Sequence, residues 1–98
     1  MKLKIVASEN KTNTSECWNN YSGDKVAEFI RNNRPRFVDV VTPDGKVWEW
    51  MGNEEDTLVF VVNGHPSWDY VDQINYLNPD EFTVENIDGT YVARLWWD

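Results

Sequence analysis

The spacing of apolar residues along this chain changes period several times, and each change marks an element. Lys2 to Ala7 reads as a first strand, and Ser8 to Thr14 as a polar loop. From Ser15 to Asn33 the spacing becomes helical, because Trp18, Tyr21, Val26, Phe29 and Ile30 fall close to one stripe. Gly23 interrupts that stripe, so two helical pieces are expected, with Ser22 capping the second. Asn32-Asn33 followed by Pro35 ends it.

Arg36 to Thr42 is β-branched and aromatic, which predicts a strand. Thr42-Pro43-Asp44-Gly45 is a turn signal, and Lys46 to Met51 should return as the partner strand. Gly52 to Asp56 reads as an acidic loop. Thr57 to Val62 is apolar at nearly every position, as in a central strand covered on both faces. Asn63-Gly64-His65-Pro66 breaks the chain, and Ser67 is placed to cap a short helix carrying Tyr70, Val71, Ile74 and Leu77. Asn78-Pro79 stops that helix.

Phe82 to Asn86 and Thr90 to Trp97 form a hairpin around Asp88-Gly89, the preferred pair for a two-residue turn. That turn sets the register: Ile87 faces Thr90, Glu85 faces Val92, Val84 faces Ala93, Thr83 faces Arg94 and Phe82 faces Leu95. One face then carries Phe82, Val84, Tyr91, Ala93, Leu95 and Trp97 and should be core. The other carries Thr83, Glu85, Val92, Arg94 and Trp96 and should be wet, with Glu85 diagonal to Arg94. The order β-α-β-β-β-α-β-β predicts one α+β domain over residues 1–98. Its simplest form is a mostly antiparallel sheet of about five to six strands with both helices on one face.

Charge adds a second pattern. Seventeen acids against nine bases leave the 98 residues at −8. Residues 1–36 are net +3 and residues 37–98 net −11. The acidic part should repel nucleic acid and anionic membranes. The basic patch of Arg31, Arg34 and Arg36 is too small to change that. No apolar run is long enough to span a bilayer. The start of the chain lacks a signal-peptide pattern, and a single Cys17 builds no internal disulfide, so a cytoplasmic protein is expected.

The chemistry that can be read from motifs is thin. There is no glycine-rich phosphate loop and no zinc-protease motif. One cysteine and one histidine do not make a usual structural zinc site. Glu54-Glu55-Asp56 and Asp80-Glu81 lack calcium-loop spacing. Nothing brings Cys17 and His65 together as a nucleophile and base. Glu49 lies between Trp48 and Trp50 but points to the opposite face of its strand. Asp69 and Asp72 share a helix face, where they complement the helix dipole. The expectation is a protein that is not an enzyme and needs no cofactor or metal.

Six tryptophans are many for this length. Trp18, Trp97 and Trp68 read as core. Trp48 and Trp50 project from one face of a strand, and Trp96 falls on the wet face of the last hairpin. Indoles beside carboxylates suit a binding surface or a cationic group. In length and charge alone, the chain resembles immunity proteins against nuclease toxins and phage-encoded inhibitors of host defences. That likeness carries no residue roles.

The reading is therefore a small acidic binding protein, monomer or homodimer, acting as an inhibitor of a basic protein such as a nuclease. Its expected contact residues are Trp48, Trp50, Glu54, Glu55, Asp56, Asp69, Asp72 and Trp96. The alternative is a domain with an aromatic pocket for a small cationic ligand.

Overall fold

The last hairpin organises the molecule. In the computed structural model, which describes residues 2–5, 16–47, 57–64 and 66–97, β6 (Glu81–Ile87) pairs antiparallel with β7 (Thr90–Trp96). The register is Ile87↔Thr90, Glu85↔Val92, Thr83↔Arg94 and Phe82↔Leu95, as the turn residues predict. Asp88 (φ 52°) and Gly89 (φ 87°) both take left-handed backbone. That is the geometry of a two-residue turn matched to the strand twist. The Asn86 side-chain oxygen accepts a hydrogen bond from the Gly89 N–H at 2.9 Å.

The other edge of β7 pairs antiparallel with β5 (Thr57–Val62), giving a three-stranded sheet in the order β5-β7-β6. Since β5 and β6 both run against β7, they are parallel to each other. Between them the chain forms α2 (Trp68–Tyr76), capped as expected by Ser67, whose hydroxyl accepts from the Tyr70 N–H at 3.2 Å. The unit is a β-α-β crossover with β7 filling the gap. Thus β7, not β5, is the central strand. The apolar run in β5 is still explained, because Leu58, Val59 and Phe60 are buried on alternating faces. Its outer edge is also partly closed. Phe37 bridges to Phe60, and the Val61 N–H donates to the Arg36 carbonyl at 2.9 Å.

Among the described residues the strands form three small sheets, where a single sheet of about five to six strands is expected. β1 (Lys2–Ile5) pairs antiparallel with β4 (Val38–Val41). The Thr42–Gly45 turn follows, with the Gly45 N–H donating to the Thr42 carbonyl at 2.9 Å and Gly45 at φ 85°. Val41 then bridges to Val47. The returning strand expected at 46–51 and the acidic loop at 52–56 lie mostly outside the described residues, as does the loop at 8–14.

The third sheet corrects a helix. β2 (Cys17–Trp18) and β3 (Tyr21–Ser22) form a two-residue hairpin over Asn19-Asn20, with Asn19 at φ 42°. A helix brings residues i and i+3 together, and so does a two-residue hairpin. Trp18 stacks on Tyr21 at 4.1 Å in this way, so the spacing is real but its cause is different. Helical structure begins only with α1 (Gly23–Asn33), where Ser22 is the expected N-cap, accepting from the Lys25 N–H at 3.4 Å. Arg34 closes it in a left-handed conformation, its N–H bonded to the Ile30 carbonyl at 2.8 Å, just before Pro35.

Two buried clusters lie on opposite faces of the three-stranded sheet. On one face, Leu58, Phe60, Ala93, Leu95 and Trp97 cluster with Val26 and Phe29 of α1 and Ile74 and Leu77 of α2. On the other, Val59, Val92 and Ile87 cluster with Val38 and Val40 of β4. This second layer covers part of the expected wet face. Val92 is fully buried there and Thr83 and Arg94 are half-buried, whereas Glu85 is exposed and Trp96 partly exposed, as expected of that face. Conversely, Val84 and Tyr91 on the expected core face stay exposed. Arg94 pairs with Glu81 at 3.0 Å, not with Glu85, the opposite diagonal neighbour.

The buried position of Val92 has a measurable consequence. Val92→Thr should lower stability by about 1–3 kcal/mol, because it buries a hydroxyl among valines. Glu85→Thr, directly across the strand pair but exposed, should change it by less than about 0.5 kcal/mol. Urea denaturation compares the two. Equal small effects would mean that the β1–β4 layer does not seal this face.

Candidate binding surface

The side chains of α2 divide into two faces. Ile74 and Leu77 are buried and Tyr70 is half-buried, and all three pack in the helix-side cluster. At about 100° per residue, Leu77 lies about 180° around the helix from Trp68. Trp68 is accordingly 83% exposed, not core as its residue type suggests. Asp72, Tyr76 and Asp69 follow it within an arc of about 100°. Tyr76 is 60% exposed, and both aspartates are exposed. Two aromatic rings and two carboxylates thus share one solvent-facing ridge.

The ridge borders a groove of about 550 Å³ between α1 and α2. Phe29 and Leu77 form its apolar floor; Lys25 and Glu28 stand on the α1 side, Asp72 and Tyr76 on the α2 side. The Asn33 side-chain amide crosses it, donating to Gln73 Oε1 at 2.8 Å and back to the Phe29 carbonyl at 3.0 Å. Lys25 Nζ lies 4.5 Å from the centroid of the Tyr76 ring, within cation–π range.

Of the residues expected to make contacts, Asp69 and Asp72 stand on this ridge. Trp96 is half-buried on the opposite face of the sheet, level with Thr57 and Glu81. The structure therefore separates Trp96 from the two aspartates. Trp48, Trp50, Glu54, Glu55 and Asp56 lie outside the described residues, as do Glu49 and His65. Trp68, Tyr76 and Lys25 were not expected at a site. For Trp68 the signal was present, since it falls opposite the Tyr70-Ile74-Leu77 stripe. The pairing of Lys25 with Tyr76 depends on how two helices meet, and no local pattern encodes that.

The remaining tryptophans are structural. Trp97 is completely buried, donates its indole N–H to the Leu77 carbonyl at 3.1 Å and meets Tyr21 edge-on at 5.0 Å. Trp18 is half-buried on Tyr21. Burial pushes the Tyr21 hydroxyl up to about 12, and the neighbouring charge of Cys17 adds to the rise. Burial also raises Tyr70. A hydrogen bond from the Thr42 hydroxyl holds the exposed Asp44 carboxyl below its usual range. Cys17 is exposed and free. Among the described residues, no three of His, Cys, Asp and Glu group so as to hold a metal ion. No described helix is long and apolar enough to cross a membrane.

Two tests follow. Trp68→Ala should leave stability within about 0.5 kcal/mol, whereas Trp97→Ala should cost about 3–5 kcal/mol; a large loss for Trp68→Ala would make it a packing residue. The second test is alkaline. An unfolded tyrosine titrates near 10, and folded Tyr21 only near 12, so the unfolded chain loses its proton first. The stability from Tyr21 is intact below that window and falls by about 1.4 kcal/mol per pH unit across it. Thermal melts at about pH 9 and about pH 11 should show a steeper loss for the wild type than for Tyr21→Phe. Identical slopes would contradict the burial of this hydroxyl.

Compared with protein-family models, with curated proteins and with solved structures, the chain matches none.

Proposed function

We propose that this protein is a non-enzymatic binding protein that grips a basic partner protein through the exposed face of α2. One observation carries the reading: Trp68, 83% exposed, stands beside Asp69, Asp72 and the exposed Tyr76 on one ridge. An indole so far out of the core brings no packing benefit to its own fold. At an interface it supplies a large rigid anchor, and tryptophan is among the residues that dominate binding energy there. The two flanking carboxylates, on a chain whose net charge is −8, would steer a basic partner and set the salt dependence of its association.

The finer reading is an inhibitor in the cytoplasm. Its acidic face would occupy the surface with which a nuclease or other nucleic-acid-binding protein grips phosphates. Trp48, Trp50, Glu54, Glu55 and Asp56 join this proposal on residue type and charge alone. Trp96 has the weakest claim, because it lies across the sheet from the ridge.

The test is a comparison of two variants on one column. The wild type, a Trp68→Ala/Asp69→Asn/Asp72→Asn variant and a Glu54→Gln/Glu55→Gln/Asp56→Asn variant are immobilised and exposed to the same cell lysate. A basic protein that elutes from the wild type with moderate salt should bind the first variant at least about tenfold more weakly. If that variant retains it unchanged, the α2 ridge is not the site. The second variant decides the acidic segment in the same way.

A further inference from the structure

We infer that the groove between α1 and α2 is a subsite for an arginine side chain of the partner, and that Lys25 occupies it in the free protein. This rests on the α2 ridge being the contact face.

The groove shows its own preference. Lys25 sits there with Nζ 4.5 Å from the centre of the Tyr76 ring, so a cation already occupies the aromatic wall. Two carboxylates, Glu28 and Asp72, line the same space. Among the described residues, neither of them nor Lys25 is joined in an ion pair. Among the described residues the groove's charge balance is one base against two acids, which leaves room for a further cation.

Lys25 holds its place weakly. A lysine over an exposed ring is a marginal contact, and its flexible stem loses entropy by staying there. A guanidinium is better suited to the site. It is planar, more weakly hydrated and able to lie on an aromatic face while its edge donates to a carboxylate. Phe29 and Leu77 beneath would receive its methylene stem. The spacing of the two helices along the groove is fixed in advance, because Asn33 bonds Gln73 across it. Asp72 and Tyr76 belong to both ridge and groove, so a chain lying on Trp68 is within reach of the subsite.

The competing lysine gives the inference an unusual sign. Removing Lys25 should improve binding, beyond what the loss of one positive charge does anywhere on the surface. The control for that charge is Arg31, exposed on the same helix and not part of the groove. Binding of an acetylated hexa-arginine amide is measured at low salt by calorimetry, with circular dichroism confirming the fold of each variant. Lys25→Met should bind this peptide about two- to fivefold more tightly than Arg31→Met. Tyr76→Leu added to both should abolish that difference. Equal affinities for Lys25→Met and Arg31→Met, or weaker binding by Lys25→Met, would overturn the subsite. In that event the ridge reading still stands if the Trp68→Ala/Asp69→Asn/Asp72→Asn variant loses the peptide. If the wild type does not bind the peptide, the subsite falls, and the ridge reading is decided separately by whether the Trp68→Ala/Asp69→Asn/Asp72→Asn variant loses the basic protein that the wild type retains.

Discussion

Strand β7 has apolar side chains on both of its faces, and each face requires its own cover. Ala93 and Leu95 point one way and Val92 the other, and all three are completely buried. A small domain cannot leave such a strand against water, since burial of apolar surface is its main source of stability. The helices cover one side and the β1–β4 pair covers the other. Three layers in so short a chain follow from that single demand. It also explains why β1 and β4 form a separate sheet: they serve as a lid of valines, not as an extension of the ladder.

The same demand sets the orientation of α2. Ile74 and Leu77 must face the sheet, and the indole N–H of Trp97 is bonded to the Leu77 carbonyl at the end of the helix. A helix end leaves carbonyls without partners, and here a core tryptophan satisfies one of them. The rotation of α2 about its axis is thereby fixed, and Trp68, Asp72 and Tyr76 are turned outward. The exposed ridge is a product of the packing beneath it. Its residues contribute little to that packing, which leaves them available for a partner.

Local chemistry was legible in the sequence where a short segment decides the outcome. Asp88-Gly89 specifies a two-residue turn, and the strand register follows from it. Ser22 and Ser67 mark both helix starts. The misreadings occur where two local structures share one signature or where a distant segment intervenes. Trp18 and Tyr21 are neighbours in a helix and in a tight hairpin alike, and Asn19-Asn20 favours the latter. Val92 lies among Thr83, Glu85 and Arg94 in a wet pattern, but the β1–β4 layer covers it. The run in β5 signals two covered faces, a pattern that a central strand shares with an edge strand lying between two layers, and β5 is at the edge of the ladder. For the site, the exposure of Trp68 was implicit in helical spacing, whereas the groove arises only when two helices are brought side by side.

The topology of the sheet constrains how the chain can reach it. β5 and β6 lie on either side of β7 and share no ladder, so neither helps to align the other. β7 is joined to β6 by two residues and to β5 only through the connection running from 63 to 89. Closing the short loop costs far less chain entropy than closing the long one. The hairpin can therefore form by itself and early, while β5 is recruited from far along the chain. The segment between β5 and the hairpin contains α2, so the pairing of β5 with β7 closes the crossover that carries the helix. Completion of the sheet and presentation of the ridge are thereby linked: Trp68 reaches its final setting only when that crossover is closed.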